Sequence, residues 1–188
     1  MGLAMRVRVN LLGIPYSGKS YCATYLVGKI RAHGLVTEYI EEPFKDMFYR
    51  GHPRPDFFIE GREFFDCVSR EIGRLDRGVQ VLVNDSGLWT VLYYLDILNT
   101  WGFSLETFVQ AARIMDHRYK TYNVVVHPLL MNQGENVGRW DTSLASQKSR
   151  FASFKRFVDA NAVEYVELPV SGREAILDKL VADICRNV

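Results

Sequence analysis

Gly13-Ile14-Pro15-Tyr16-Ser17-Gly18-Lys19-Ser20 sits between Arg6-Val7-Arg8-Val9-Asn10-Leu11-Leu12 and a stretch running from Tyr21 to His33. The first flank alternates and ends apolar, as a buried strand does, and the second reads as a helix, so the octapeptide joins strand to helix. It matches G-x-x-x-x-G-K-[ST], the spacing of a loop that cradles phosphates. Gly13 and Gly18 allow backbone angles and close approaches that a side chain forbids, so successive N–H groups can turn toward a β-phosphate. The positive end of the helix beginning near Lys19 and Tyr21 adds to that field. Lys19 is placed to reach the β- and γ-phosphates, and the Ser20 hydroxyl suits Mg²⁺, a hard cation that takes oxygen ligands. The ordinary alternative is a glycine-rich turn with a solvated lysine. The motif implies a nucleoside triphosphate, with ATP the default because the chain lacks the N-K-x-D motif of guanine-specific proteins.

A length of 188 residues suits one α/β domain with a full core and is short for two. The 23 basic and 22 acidic residues give a net charge of +1, which leaves no global electrostatic footprint for nucleic acid or a membrane surface, although a local patch remains open. Cys22, Cys67 and Cys185 are widely spaced and form no C-x-x-C pair, which fits reduced thiols rather than a disulfide framework or zinc site. No leader pattern and no long apolar run occurs, so a cytoplasmic protein without a membrane partner is expected, with a homodimer left open.

Strand and helix signals alternate along the chain. Leu35 to Glu41 reads as a second strand, Asp56 to Arg77 as helical, and Val79 to Asn84 as a third strand running into Asp85. Two helices broken near Trp101-Gly102 cover Leu88 to Tyr119, and Tyr122 to His127 is a fourth strand ended by Pro128. A helix from about Ser143 to Asn161, a fifth strand from Val163 to Leu168 and a closing helix from Arg173 to Arg186 complete the order. The expected fold is a three-layer α/β domain: five parallel strands, helices on both faces and a lid over roughly 129–142.

Ligands of such sheets sit beyond the carboxyl ends of the strands. Strand three delivers Asp85, a carboxylate for Mg²⁺ or its bound water, or else a helix cap with Ser86. Strand two delivers Glu38, Glu41 and Glu42 before Pro43, where a carboxylate can take the proton of an acceptor hydroxyl or can simply be solvated. Arg139, after the polar run Asn132 to Gly138, and then Arg150 are the candidates for neutralising a transferring phosphoryl group. Arg62 and Arg70 are substrate candidates or a solvated face. Trp89, Tyr93 and Tyr94 are stacking candidates or core.

Through the loop, Glu38-Tyr39-Ile40-Glu41-Glu42, and Arg139 with Ser143 to Phe151, the chain resembles the nucleoside and nucleotide kinase branch of P-loop proteins over essentially its whole length. The nearest likeness is to the ribosylnicotinamide kinase domain of the bacterial NAD-biosynthesis regulator and related small AAA-type kinases. Glu42-Pro43 also looks like the Glu-Pro of deoxynucleoside kinases, whose glutamate is the general base, and this implies that role for Glu42. Thymidylate kinases carry an arginine before that pair to hold an acceptor phosphate. Glu41 stands there in this chain and would repel one, so the resemblance implies a neutral, nucleoside-like acceptor. Many relatives place arginine after the strand-three carboxylate, where this chain has Ser86, which leaves more of the clamp to Arg139.

The leading expectation is an ATP- and Mg²⁺-dependent kinase with a hydroxyl-bearing, nucleoside-like acceptor. A second is transfer to a polynucleotide end or hydroxymethylated base, as in some bacteriophage enzymes. Basic residues Arg113, His117, Arg118, Lys120, Lys148, Arg150, Lys155 and Arg156 interleaved with Tyr119, Phe151, Phe154 and Phe157 suggest it. A third is a non-catalytic nucleotide switch.

Overall fold

Strand β1 (Val7–Leu12) is buried along its whole length, and its alternation decides which layer lies on each side. Val7, Val9 and Leu11 point into one apolar cluster with α1 (Lys19–Ala32) and the closing helix α6 (Arg173–Asn187), whereas Leu12 joins a second cluster on the opposite face. The structure, a computed structural model, describes residues 5–42, 62–98, 105–130 and 143–188. Its other elements are β2 (Thr37–Ile40), α2 (Arg62–Leu75), β3 (Val81–Asp85), α3 (Leu88–Leu98), α4 (Leu105–Arg118), β4 (Lys120–Val126), α5 (Leu144–Ala160) and β5 (Val166–Leu168). The strands form one parallel sheet in the order β2-β3-β1-β4-β5. Five parallel strands with helices on both faces make an α/β fold compatible with a three-layer P-loop-like architecture. Among the described residues, no helix is long and apolar enough to cross a membrane.

The second face is partly polar. Arg8 is fully buried, with Nη2 2.6 Å from Glu71 Oε2 and Nη1 donating to Asp116 Oδ1 at 2.9 Å. Burial pushes the Glu71 carboxyl upward, against the pull of Arg8. Asn10 lies opposite both Asn84 and Asn123 in register, and the three amides form a ladder across the middle of the sheet. Asn84 Nδ2 donates to Asn10 Oδ1 at 2.8 Å, Asn10 Nδ2 to Asn123 Oδ1 at 2.8 Å, and Asn123 Nδ2 to Asp116 Oδ2 at 3.1 Å. Helix α3, apolar on nearly every side, covers this face, as an all-round apolar helix must.

Element boundaries move by a few residues from the sequence reading. The fifth strand starts at Val166 rather than Val163 because Ala162 takes a φ of 52° and Val163 N–H donates to Val158 O, which spends these residues on closing α5. Ser143 is the cap of that helix, its hydroxyl accepting from Ser146 N–H. All three cysteines are free. The expected break near Trp101-Gly102, residues 56–61 of the second helical stretch and 131–142 of the lid lie outside the described residues.

Gly87 lies directly over the amide ladder. A Cβ there would come 2.5 Å from Asn10 Cβ and 2.8 Å from Asn10 Cγ. Gly87→Ala is therefore expected to lower the unfolding free energy by about 1–3 kcal/mol, the usual cost of overpacking, in equilibrium denaturation.

Candidate functional site

Between Leu12 and Lys19 the chain turns back on itself with φ of 145° at Gly13, 64° at Tyr16 and 82° at Gly18. Five carbonyls of this glycine loop accept described hydrogen bonds, the one at Gly18 being the first intrahelical bond of α1. Lys19 Nζ donates to Gly13 O at 3.1 Å and to Ile14 O at 3.0 Å. Leu129 N–H takes Tyr16 O at 3.2 Å, Arg173 Nη1 takes Ser17 O at 2.9 Å, and Cys22 N–H takes Gly18 O at 3.1 Å. A trans peptide sets its N–H opposite its C=O, so the hydrogen bond from Arg173 to Ser17 O turns the Gly18 N–H away from Arg173 at the start of α1, the setting in which amide nests for anions form. Gly13 N–H itself donates to Thr90 Oγ1 at 3.3 Å, which ties the loop's first turn to α3.

Beside the loop, Ser20 Oγ donates to Asp85 Oδ2 at 2.5 Å, and Tyr39 Oη donates to the same oxygen at 3.0 Å. Burial, followed by the Asp85 charge, holds the Tyr39 hydroxyl far above its ordinary pKa, so it remains a donor. A hydroxyl and a carboxylate oxygen this close, at the carboxyl end of β3, are the donor set a hard divalent cation accepts alongside phosphate oxygens and water.

The strand-two carboxylates separate. Glu38 is taken by Arg74 Nε at 2.6 Å on α2. Glu41 is exposed, and its charge acts on Tyr39. Glu42 is half-buried; burial raises the Tyr94 hydroxyl pKa well above normal, the Glu42 carboxylate adds to the rise and Arg150 opposes it. Glu42 and Arg150 thus both act electrostatically on one buried tyrosine. Arg150 also presents its carbonyl to Tyr93 Oη at 3.3 Å.

Other candidates lie elsewhere. Trp89 is 1% exposed and its indole N–H donates to Asp116 Oδ2 at 2.8 Å, so this ring is core and ladder support rather than a stacking surface. Arg70 is exposed on α2, and Arg62 opens that helix. Arg139 lies outside the described residues. Of the aromatic residues interleaved with basic ones, Phe154 and Tyr119 are buried, and Phe151 and Phe157 pack against the core. Lys155 is engaged by Glu167 and Tyr165, whereas Lys148 and Arg156 are exposed.

A hollow of about 600 Å³ opens next to the loop, lined by Gly18, Tyr21, Leu129, Val170, Gly172 and Arg173 among others. Tyr21 is exposed over it, its hydroxyl held by Glu174 Oε1 at 2.7 Å. Tyr39, Thr90 and Arg173 were not read from sequence. Tyr39 shares the strand parity of Glu41, which is a usable signal. Arg173 meets Ser17 across 156 residues, a separation that leaves no local pattern.

No protein-family model matches the chain, and no curated protein matches it. The geometry therefore carries the functional reading.

Two glycines of α1 and its entry separate turn chemistry from ordinary helix propensity. Gly18→Ala places a Cβ at φ 82° and 2.9 Å from Arg173 Nη1, whereas Gly28→Ala meets nothing within 4 Å inside the helix. Denaturant titration should show a loss of roughly 1–2 kcal/mol or more for Gly18→Ala and a gain of roughly 0.5–1 kcal/mol for Gly28→Ala.

Proposed function

We propose that this protein is an ATP- and Mg²⁺-dependent kinase that transfers the γ-phosphoryl group to a hydroxyl of a nucleoside-like acceptor. The observation that carries the reading is the glycine loop held at the start of α1, its carbonyls at Gly13, Ile14, Tyr16 and Ser17 paired to Lys19, Leu129 and Arg173, beside the Ser20–Asp85 pair. Lys19 caps its own loop carbonyls and can exchange them for β- and γ-phosphate oxygens by rotating its flexible stem. Ser20 Oγ and Asp85 Oδ2 are the oxygens that would hold Mg²⁺, which neutralises charge between the β- and γ-phosphates when bound. The hollow beyond Gly18, rimmed by Tyr21, Leu129 and Val170, supports a base lying next to its own phosphates.

On the acceptor side Glu42 is the proposed base. The acceptor oxygen attacks the γ-phosphorus and forms one P–O bond, the bond to the β–γ bridging oxygen breaks, ADP leaves, and the hydroxyl proton passes to the Glu42 carboxylate. Arg150, which like Glu42 acts on buried Tyr94, and Arg139 are the proposed cations for the transferring group. Exposed Glu41 beside this position disfavours an acceptor that already carries phosphate, which supports a neutral one.

The deciding experiment is a transfer screen with γ-labelled ATP against nucleosides, nucleotides and modified DNA. Label on a nucleoside hydroxyl is the expected result. Label on DNA alone would move the acceptor to a polynucleotide, and no transfer to any acceptor despite ATP binding would leave a nucleotide switch. Lys19→Ala should abolish transfer and weaken ATP binding without changing the circular dichroism spectrum, because it removes the charge at the β/γ bridge. Glu42→Gln should lower kcat by roughly 10²- to 10⁴-fold with ATP affinity unchanged. Glu41→Gln should cost far less, and steady-state kinetics of the two variants read the difference directly.

A further inference from the structure

Arg173 opens α6, yet its side chain does not face solvent as a first-turn arginine ordinarily does. It is 8% exposed, and all three of its nitrogens donate to backbone carbonyls from three separate segments. Nε donates to Pro169 O at 3.1 Å, Nη1 to Ser17 O at 2.9 Å and Nη2 to His127 O at 2.5 Å. No carboxylate pairs with it among the described ion pairs. A buried cation at the positive end of a helix is unfavourable electrostatically, so its placement needs a compensating role.

That role follows from which peptide it touches. Ser17 C=O and Gly18 N–H belong to one trans peptide unit, with the carbonyl turned to Arg173 and the amide pointing the opposite way. A cationic donor on the oxygen draws electron density through the peptide and strengthens the N–H as a donor, in the way linked hydrogen bonds polarise one another. A Cβ at position 18 would be strained by the φ of 82° and would also lie 2.9 Å from Nη1, so Gly18 suits both the turn and this contact. Pro169 and His127 end the segments after β5 and β4, so the same guanidinium fixes the loop relative to two neighbouring strand ends.

We propose that Arg173 is a positioning residue of the phosphate loop: it braces the Ser17–Gly18 peptide from behind, so that the Gly18 amide is preoriented and strengthened toward a polyphosphate without Arg173 touching that ligand. The proposal rests on the kinase reading of the loop. It differs from a base-contacting role, which the position of Arg173 on the wall of the hollow would otherwise suggest.

Full-length protein and its Arg173→Met and Arg173→Lys variants are titrated with inorganic tripolyphosphate and with ATP by calorimetry, and the Gly18 amide proton is followed by ¹H–¹⁵N spectroscopy without ligand. Arg173→Met is expected to weaken tripolyphosphate and ATP equally, by roughly ten- to a hundredfold, the worth of a hydrogen bond to a charged group. The ratio of the two affinities should stay at its wild-type value, and the Gly18 amide proton should move upfield. Arg173→Lys, which keeps charge and some donors, should fall between and serves as the test should the methionine variant not fold. Loss of ATP affinity with tripolyphosphate binding intact would assign Arg173 to the base and overturn the proposal. Unchanged affinities with an unmoved Gly18 resonance would reduce it to a structural brace and overturn it equally. Wild-type protein that binds neither probe would overturn the phosphate-loop reading itself, a result distinct from variants that match a binding wild type.

Discussion

The pairing of the Gly13, Ile14, Tyr16 and Ser17 carbonyls is the constraint on which the rest of this molecule turns. A buried backbone carbonyl without a donor is costly, so a loop this tight forms only where donors are waiting for its carbonyls. They come from unrelated parts of the chain: the Lys19 ammonium, the Leu129 amide after β4, and the Arg173 guanidinium at the head of α6. The same bond that satisfies Ser17 O turns the Gly18 N–H to the side proposed for a ligand. Fold and candidate site are thus one arrangement.

The polar ladder on the other face bears on the same site. Asn84 precedes Asp85 on β3, and its amide is tied through Asn10 to Asn123 and Asp116. A slip of β3 by one residue would reverse every side chain on the strand and swing Asp85 away from Ser20. The ladder makes that slip expensive, because it would strand buried amides that are paired only in this register. Arg8, held between Glu71 and Asp116, extends the network to α2 and α4. Buried polarity here fixes register, and register places the carboxylate.

Much of this was legible in the chain because its signals are local. The alternation of β1, the glycine loop and the apolar run ending in Asp85 sit within single segments, and the parallel sheet follows from strands separated by helices. Trp89 illustrates the opposite case: its position just past Asp85 put it near the cleft in sequence, while its partner Asp116 on α4 draws the ring into the core. Arg173 was read only as the start of a helix, since its partners Ser17, His127 and Pro169 converge through tertiary folding. Tyr39 lay between Glu38 and Glu41, and carboxylates attract attention that a tyrosine does not. Strand parity separates these residues: Glu38 turns to Arg74, whereas Tyr39 turns to Asp85.

Amide hydrogen exchange in the presence and absence of MgATP tests the central claim most directly, because it reads the N–H groups of the loop themselves. Saturating MgATP should slow exchange at Ser17, Gly18 and Lys19 more than at amides elsewhere in α1, and Lys19→Ala should remove that protection. Exchange at these three amides that is unaltered by saturating MgATP, with protection confined to other segments, would contradict the account.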